Sequence, residues 1–168
     1  MTLLKPVLSW MIVLWACKVF LFSLPYKFTQ HPDTQHIFGT IGRWMSSTIH
    51  ESLGGLFAQY GSYVIGTFEL VTSVILLLPA LLWFFNKVGL SKTGTSRQFF
   101  HSIGGLLVSA VMLGAVFFHL FTPLGIEVLH NGESDGGSLF YAALSLLVLG
   151  VVLFLLNRSN ANTNSVCQ

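Results

Sequence analysis

Four stretches of this chain are almost wholly apolar: residues 6–24, broken by Lys18, then 63–85, 103–121 and 138–156. Each is about 19–23 residues long, enough for an α-helix rising about 1.5 Å per residue to cross the hydrocarbon core of a bilayer. The solvent forces the helical reading, because backbone groups in hydrocarbon must be paired within the segment and isolated strands cannot do that. Between the first two stretches, "DTQHIFGTIGRWMSSTI" puts Ile37, Phe38, Ile41, Trp44, Met45 and Ile49 on one helical face, with His36, Thr40, Arg43 and Ser47 mainly on the other. The pattern predicts an amphipathic helix, starting at Pro32 and Asp33, that lies on the membrane surface or caps the bundle. Gly54 and Gly55 predict a break before the second span, and "TPLGIEVLHNGESDGG" reads as a turn-rich loop. The expected fold is therefore all-α: a four-transmembrane-helix bundle with an additional amphipathic helix in the first extracytoplasmic loop. Residues 1–156 form one integral membrane domain, and 157–168 a short polar, disordered tail.

Composition agrees. Hydrophobic residues make up 53% of the chain and charged residues 8%, against about 25% charged in a soluble domain. Mean hydropathy is +0.73. A net charge of +2, with no basic run, gives no reason to expect nucleic acid as a partner. The first span follows Lys5 but lacks a small-x-small cleavage site, so it is read as an uncleaved helix. Lys5, Lys87, Lys92, Arg97 and Arg158 fall on one side of a four-span arrangement, Lys27 and Arg43 on the other. The positive-inside rule then puts both termini in the cytoplasm.

Within the spans, ionisable residues are few. Glu69 sits inside "GTFELVTSVILLLPALLWFF" with no basic neighbour in sequence. Counting along the helices, Lys18 lies about 10 Å and Glu69 about 12 Å below the outer surface. His119, in the last turn of the third span, and Tyr141 and Ser145, early in the fourth, fall in the same layer. An unpaired charge near the bilayer centre costs about 2.5–3.5 kcal/mol on insertion scales, so the economical arrangement pairs Lys18 with Glu69, with His119 as a third member. Gly66, Thr72 and Ser73 extend the polar stripe beside Glu69. Other readings stay open: the pair could only fix helix register, Lys18 could snorkel to headgroups, Glu69 could be neutral, and His119 could only cap its helix.

Cys17 and Cys167 are far apart and form no Cys-x-x-Cys, which excludes a paired-cysteine relay. His31, His36, His50, His119 and His130 lie on or near the outer side with several carboxylates. Zinc or iron would suit such ligands, but no metal-ligand spacing is present, and solvated loop residues are the plainer reading. Gly105, Ser109, Ala110 and Gly114 suit close helix packing. No motif for haem, flavin, an iron–sulfur cluster or another covalent cofactor occurs.

The segments "KVFLFSLPYKFTQHPDTQHIF", "GTFELVTSVILLLP", "FFHLFTPLGIEV" and "DGGSLFYAAL", in this order, resemble the DoxX family of small bacterial membrane proteins over nearly the whole chain. The resemblance implies a bacterial inner-membrane location and a pattern of Lys27-Phe28 after the first helix, Glu69 in the second and His119 near the end of the third. It makes Lys27 an alternative partner for Glu69. Named relatives include a membrane subunit of a thiosulfate:quinone oxidoreductase, and others are linked to oxidant or thiol stress.

Three functions follow as expectations. The first is a redox-linked subunit that binds a quinone or similar small molecule in the polar layer and works with a partner oxidoreductase subunit or as a homo-oligomer. There Glu69 exchanges a proton, Lys18 or Lys27 tunes it, His119 hydrogen-bonds a carbonyl, and Thr72, Ser73, Tyr141 and Ser145 complete the ligand layer. The second is a non-catalytic accessory protein that stabilises a partner, and the third is a small proton-coupled carrier.

Overall fold

The computed structural model describes residues 3–89 and 96–158. Lys92, Cys167 and the tail from 159 onward lie outside the described residues. Five helices follow one another: α1 (Leu4–Phe28), α2 (Pro32–Thr48), α3 (Glu51–Lys87), α4 (Arg97–Phe121) and α5 (Ser138–Asn157). Between α4 and α5, β1 (Leu129–His130) and β2 (Glu133–Ser134) pair antiparallel, with Leu129 opposite Ser134 and His130 opposite Glu133. Asn131 and Gly132 turn this hairpin with φ of 53° and 84°, the left-handed pair that a two-residue Asn-Gly loop adopts readily.

Four of these helices, α1, α3, α4 and α5, are long and apolar enough to cross a membrane. The fold is that of a multi-pass membrane protein. α1 packs on α3 and α5, and α4 packs on the same two, so the four close into a ring. Its core is built from Ile12, Val13, Ala16 and Phe20 of α1, Leu76 of α3, Val108, Met112 and Val116 of α4, and Phe140, Ala143, Leu146 and Leu153 of α5. The outward faces are apolar too, as Phe22, Trp83 and Leu113 show. Such faces are stable only where lipid replaces water. α4 and α5 approach closely because Gly105 faces the Gly150 carbonyl, where a Cβ would come within 2.7 Å of that oxygen.

The break expected at Gly54 and Gly55 is absent. α3 is continuous for 37 residues from Glu51, about 55 Å at helical rise, and its first turns carry α2. Gly54 is a packing notch rather than a helix stop: a Cβ there would collide with the Gly42 carbonyl and with Ser46 of α2. Gly42 answers it, since its own Cβ would meet Ala58 and the Gly54 carbonyl at 2.7 Å. With both side chains missing, the two backbones touch, and α2 buries Thr34, Phe38, Ile41 and Gly42. Both helices are capped by histidines. The His31 ring accepts from the Asp33 N–H, and the His50 ring from the Ser52 N–H, in place of the usual Ser, Thr or Asp.

Asn157, placed by the sequence in the tail, is the last residue of α5 and is 4% exposed. Its amide donates to Ser9 Oγ at 3.0 Å and to the Leu153 carbonyl at 2.8 Å, and its oxygen accepts from Arg97 at 3.2 Å. Ser9 Oγ lies 2.7 Å from His101 Nδ1. A polar network thus ties α1, α4 and α5 at the end of the bundle opposite α2.

Candidate functional site

At the α2 end, Ser23 and Lys27 stand four residues apart on one face of α1, as helical periodicity requires. Across from them on α3 is Glu69, 4% exposed. Lys27 Nζ donates to Glu69 Oε2 at 2.7 Å and to Ser23 Oγ at 2.8 Å. Ser23 Oγ in turn lies 2.7 Å from both Glu69 Oε2 and the Phe20 carbonyl. Among the described residues, the side-chain hydrogen bonds to Glu69 all fall on Oε2. Gly66, one turn before Glu69, leaves a trough for the Lys27 stem: a Cβ there would stand 3.4 Å from Lys27 Cβ. The chain leaves α1 through Gln30, whose φ is 54° and whose amide bonds both the Lys27 carbonyl and Ser62 Oγ of α3. That turn holds the end of α1 against α3 and so fixes the reach of Lys27.

The ion pair borders an open-sided cavity of about 500 Å³ lined by residues of all five helices. Its walls are mostly apolar, including Val19, Phe22, Ile65, Val111, Met112 and Ala143, and its roof is Thr34, Ile37, Phe38 and Ile41 of α2 with Leu124 of the α4–α5 connector. His119 forms part of the wall and is 7% exposed. Its Nδ1 lies 2.7 Å from the Gly125 carbonyl oxygen. A carbonyl can only accept, so Nδ1 carries the proton, and neutral His119 keeps a lone pair on Nε2. The cavity thus offers a paired carboxylate, a hydroxyl and an imidazole in an otherwise apolar space.

The residues singled out from the sequence do not all meet here. Lys18 is exposed, with Nζ 5.5 Å from the centre of the Trp15 ring, and Lys27 takes the place beside Glu69. Lys18 turns outward, and its neighbour Cys17 lies against the Ser73 carbonyl, a turn further along α3 than Glu69. Thr72 and Ser73 are buried on α3, each 1% exposed, but do not line the cavity; the Ser73 hydroxyl donates to the Glu69 carbonyl on its own helix. Tyr141 is 61% exposed, and Ser145 accepts from the Trp15 indole at 3.2 Å, so neither lines the cavity. Glu69, Lys27 and His119 do. The sequence reading missed Ser23, which the four-residue spacing from Lys27 could have revealed, and the cavity residues Tyr26, Asp33 and Thr34.

Asp33, at the roof edge, accepts from His130 of the hairpin at 2.7 Å, and His31 Nδ1 lies 3.2 Å from its other oxygen. The His36 ring stacks on His130 with centroids 4.6 Å apart. The His130 hydrogen bond holds the Asp33 carboxyl below its ordinary range, and the neighbouring histidines add to this when protonated. Among the described residues, no three or more His, Cys, Asp or Glu side chains are disposed to hold a metal ion.

Comparison with protein-family models, curated proteins and solved structures yields no match. The likeness to the DoxX family rests on the four quoted segments, and the reading of the site rests on its geometry.

Proposed function

We propose that this is a DoxX-like protein of the bacterial inner membrane, a redox-linked subunit that binds a quinone or a similar small molecule in the cavity beside Glu69. In this reading both termini are cytoplasmic, and α2 lies amphipathically at the outer interface with its apolar face roofing the site. The observation that carries the proposal is the buried Lys27–Glu69 pair at the wall of a 500 Å³ apolar cavity that also contains His119. Apolar walls with a few convergent polar groups suit a flat ring with polar oxygens on its rim.

Interconversion of quinone and quinol moves two electrons and two protons. The chain holds no redox motif, so the electrons pass to or from a partner oxidoreductase subunit. Its own residues handle protons. With Nδ1 held by the Gly125 carbonyl, neutral His119 receives a quinol O–H at Nε2, and only as imidazolium does it donate to a quinone carbonyl. The Glu69 carboxylate takes or returns the second proton, with Lys27 Nζ as its ion-pair partner at 2.7 Å.

The test is titration of a short-chain quinone analogue into detergent-purified protein, with Glu69→Gln and His119→Phe beside wild type. Binding weakened about tenfold or more in each variant, the loss of one buried charge-assisted contact, is the expected result. Equal binding by wild type and Glu69→Gln removes Glu69 from the site. Absence of binding by all three favours an accessory role.

A further inference from the structure

The cavity roof has two parts of unequal stability. α2 is locked to α3 through Gly42 and Gly54. The connector between α4 and α5, residues 122–137, is braced at its α5 end by Asp135 but meets α2 through a small set of contacts. Its apolar grip is small: Leu124 and Val128 are buried against Ile41, with Ile37, Met45, Phe57 and Phe118 around them. Its polar link to α2 is the His130–Asp33 hydrogen bond of 2.7 Å, made by an Asp33 side chain that is 56% exposed. Gly125 lies near one end of the segment and Gly136–Gly137 at the other, with φ of 74°, 61° and 77°. These are left-handed positions where glycine bends without strain, at the places where a moving segment needs its hinges. Next to the first hinge, the Gly125 carbonyl is the acceptor for His119, a residue of the cavity wall.

We infer that the connector around the β1–β2 hairpin is a lid over the cavity, latched to α2 by Asp33 and His130 and coupled to the cavity's contents through His119. This rests on the cavity being the ligand site. When the latch opens, the segment swings about its glycines, Leu124 leaves the roof, and a molecule can enter from the aqueous edge of α2. A ligand that bonds His119 Nε2 polarises the imidazole and strengthens the Nδ1–H bond to Gly125, which favours the closed lid.

The test needs no ligand. Ala143 lines the cavity and is 5% exposed. In a Cys17→Ala, Cys167→Ser background, Ala143→Cys is labelled with a water-soluble thiosulfonate. Asp33→Ala and His130→Ala are each expected to raise the labelling rate about three- to tenfold, the effect of losing one partly exposed charge-assisted hydrogen bond. The double variant should be no faster than the faster single, and His130→Lys, which keeps a cation opposite Asp33, should stay near the latched rate. Unchanged rates in both single variants overturn the lid. Hydrogen exchange on the unaltered protein gives a second measurement: amides of 126–134 should exchange well before those of α4 and α5, and equal protection overturns the proposal. Adding the quinone analogue then separates the two readings. If it leaves labelling of Ala143→Cys unaffected while the latch variants still accelerate it, the ligand assignment fails and the lid stands.

Discussion

Lys27 Nζ and Glu69 Oε2 stand 2.7 Å apart, joined across 42 residues of sequence at the junction of α1 and α3. The lysine's side chain is 15% exposed and the glutamate's 5%. Removing one partner leaves the other charge in low-dielectric surroundings, and for buried pairs that costs about 3–5 kcal/mol. Lys27 sits near a helix end and can extend toward water, so Glu69→Gln should cost less than Lys27→Met, which strands the carboxylate. Thermal unfolding in detergent is the measurement. The double variant is expected to recover most of the loss, and Lys18→Met to leave the midpoint unchanged. A Lys18→Met loss as large as that of Lys27→Met would contradict the pairing.

The glycines of the α2–α3 contact divide into two kinds. Gly54→Ala puts a methyl group into the Gly42 carbonyl, backbone against backbone, where no side chain can yield. Overpacking of this kind costs about 1–3 kcal/mol, and limited proteolysis should show α2 lifting from α3. A Cβ at Gly55 meets nothing within 4 Å. Gly55→Ala is therefore expected to stabilise the helix by about 1 kcal/mol through propensity alone. The same midpoint shift for both variants would refute the notch.

How far the chain could be read without coordinates depends on which periodicity applied. The four spans were legible because about 20 apolar residues in a row have one solution in a bilayer. Their ends were not: hydropathy stops at Tyr63, while α3 starts at Glu51, because α2 covers its first turns and glycine there serves contact rather than termination. Depth along a helix can be counted from sequence, which brought Glu69 and His119 into consideration together with Lys18; Lys27 entered only through the family resemblance. Azimuth in a bundle cannot, because a lipid-facing side is as apolar as the core. That is why Lys18, Tyr141 and Ser145 were expected in the polar layer, while the structure leaves them outside the cavity lining. The Asn131-Gly132 hairpin was readable from its dipeptide and was passed over as an undivided loop.

Asn157 closes the network at the opposite end by bonding Ser9, Arg97 and the Leu153 carbonyl. Asn157→Leu keeps the volume and strips these bonds, leaving Ser9 and Arg97 short of a partner. One or two unsatisfied buried groups cost about 1–3 kcal/mol each, so unfolding should move accordingly. His101 behaves differently. Its Nε2 is buried and has no hydrogen-bond partner among the described residues. His101→Phe therefore gives up the Nδ1 contact but relieves that orphan, and should cost distinctly less than Asn157→Leu. The reverse order in thermal melts would show that His101 carries the network.

Asp135 organises the start of α5 and the base of the connector. Its carboxylate accepts the Val128 N–H at 2.7 Å, the Gly137 and Leu139 N–H groups at 3.0 Å each, and the Ser138 hydroxyl at 3.3 Å. Burial pushes its pKa up, but the N–H donors of Leu139, Val128 and Gly137 outweigh that and hold the carboxyl below its ordinary 3.8. A carboxyl depressed in the folded state stabilises it above the unfolded value, and that contribution fades as pH falls through the folded one. Asp135→Ala is expected to cost about 1–2 kcal/mol at neutral pH, as the loss of a helix cap does. The gap between the melting points of wild type and Asp135→Ala should hold from pH 7 down to pH 5 and narrow steadily toward pH 3. A gap that stays constant to pH 3 would mean that the Asp135 charge plays no part and that only its shape is being read.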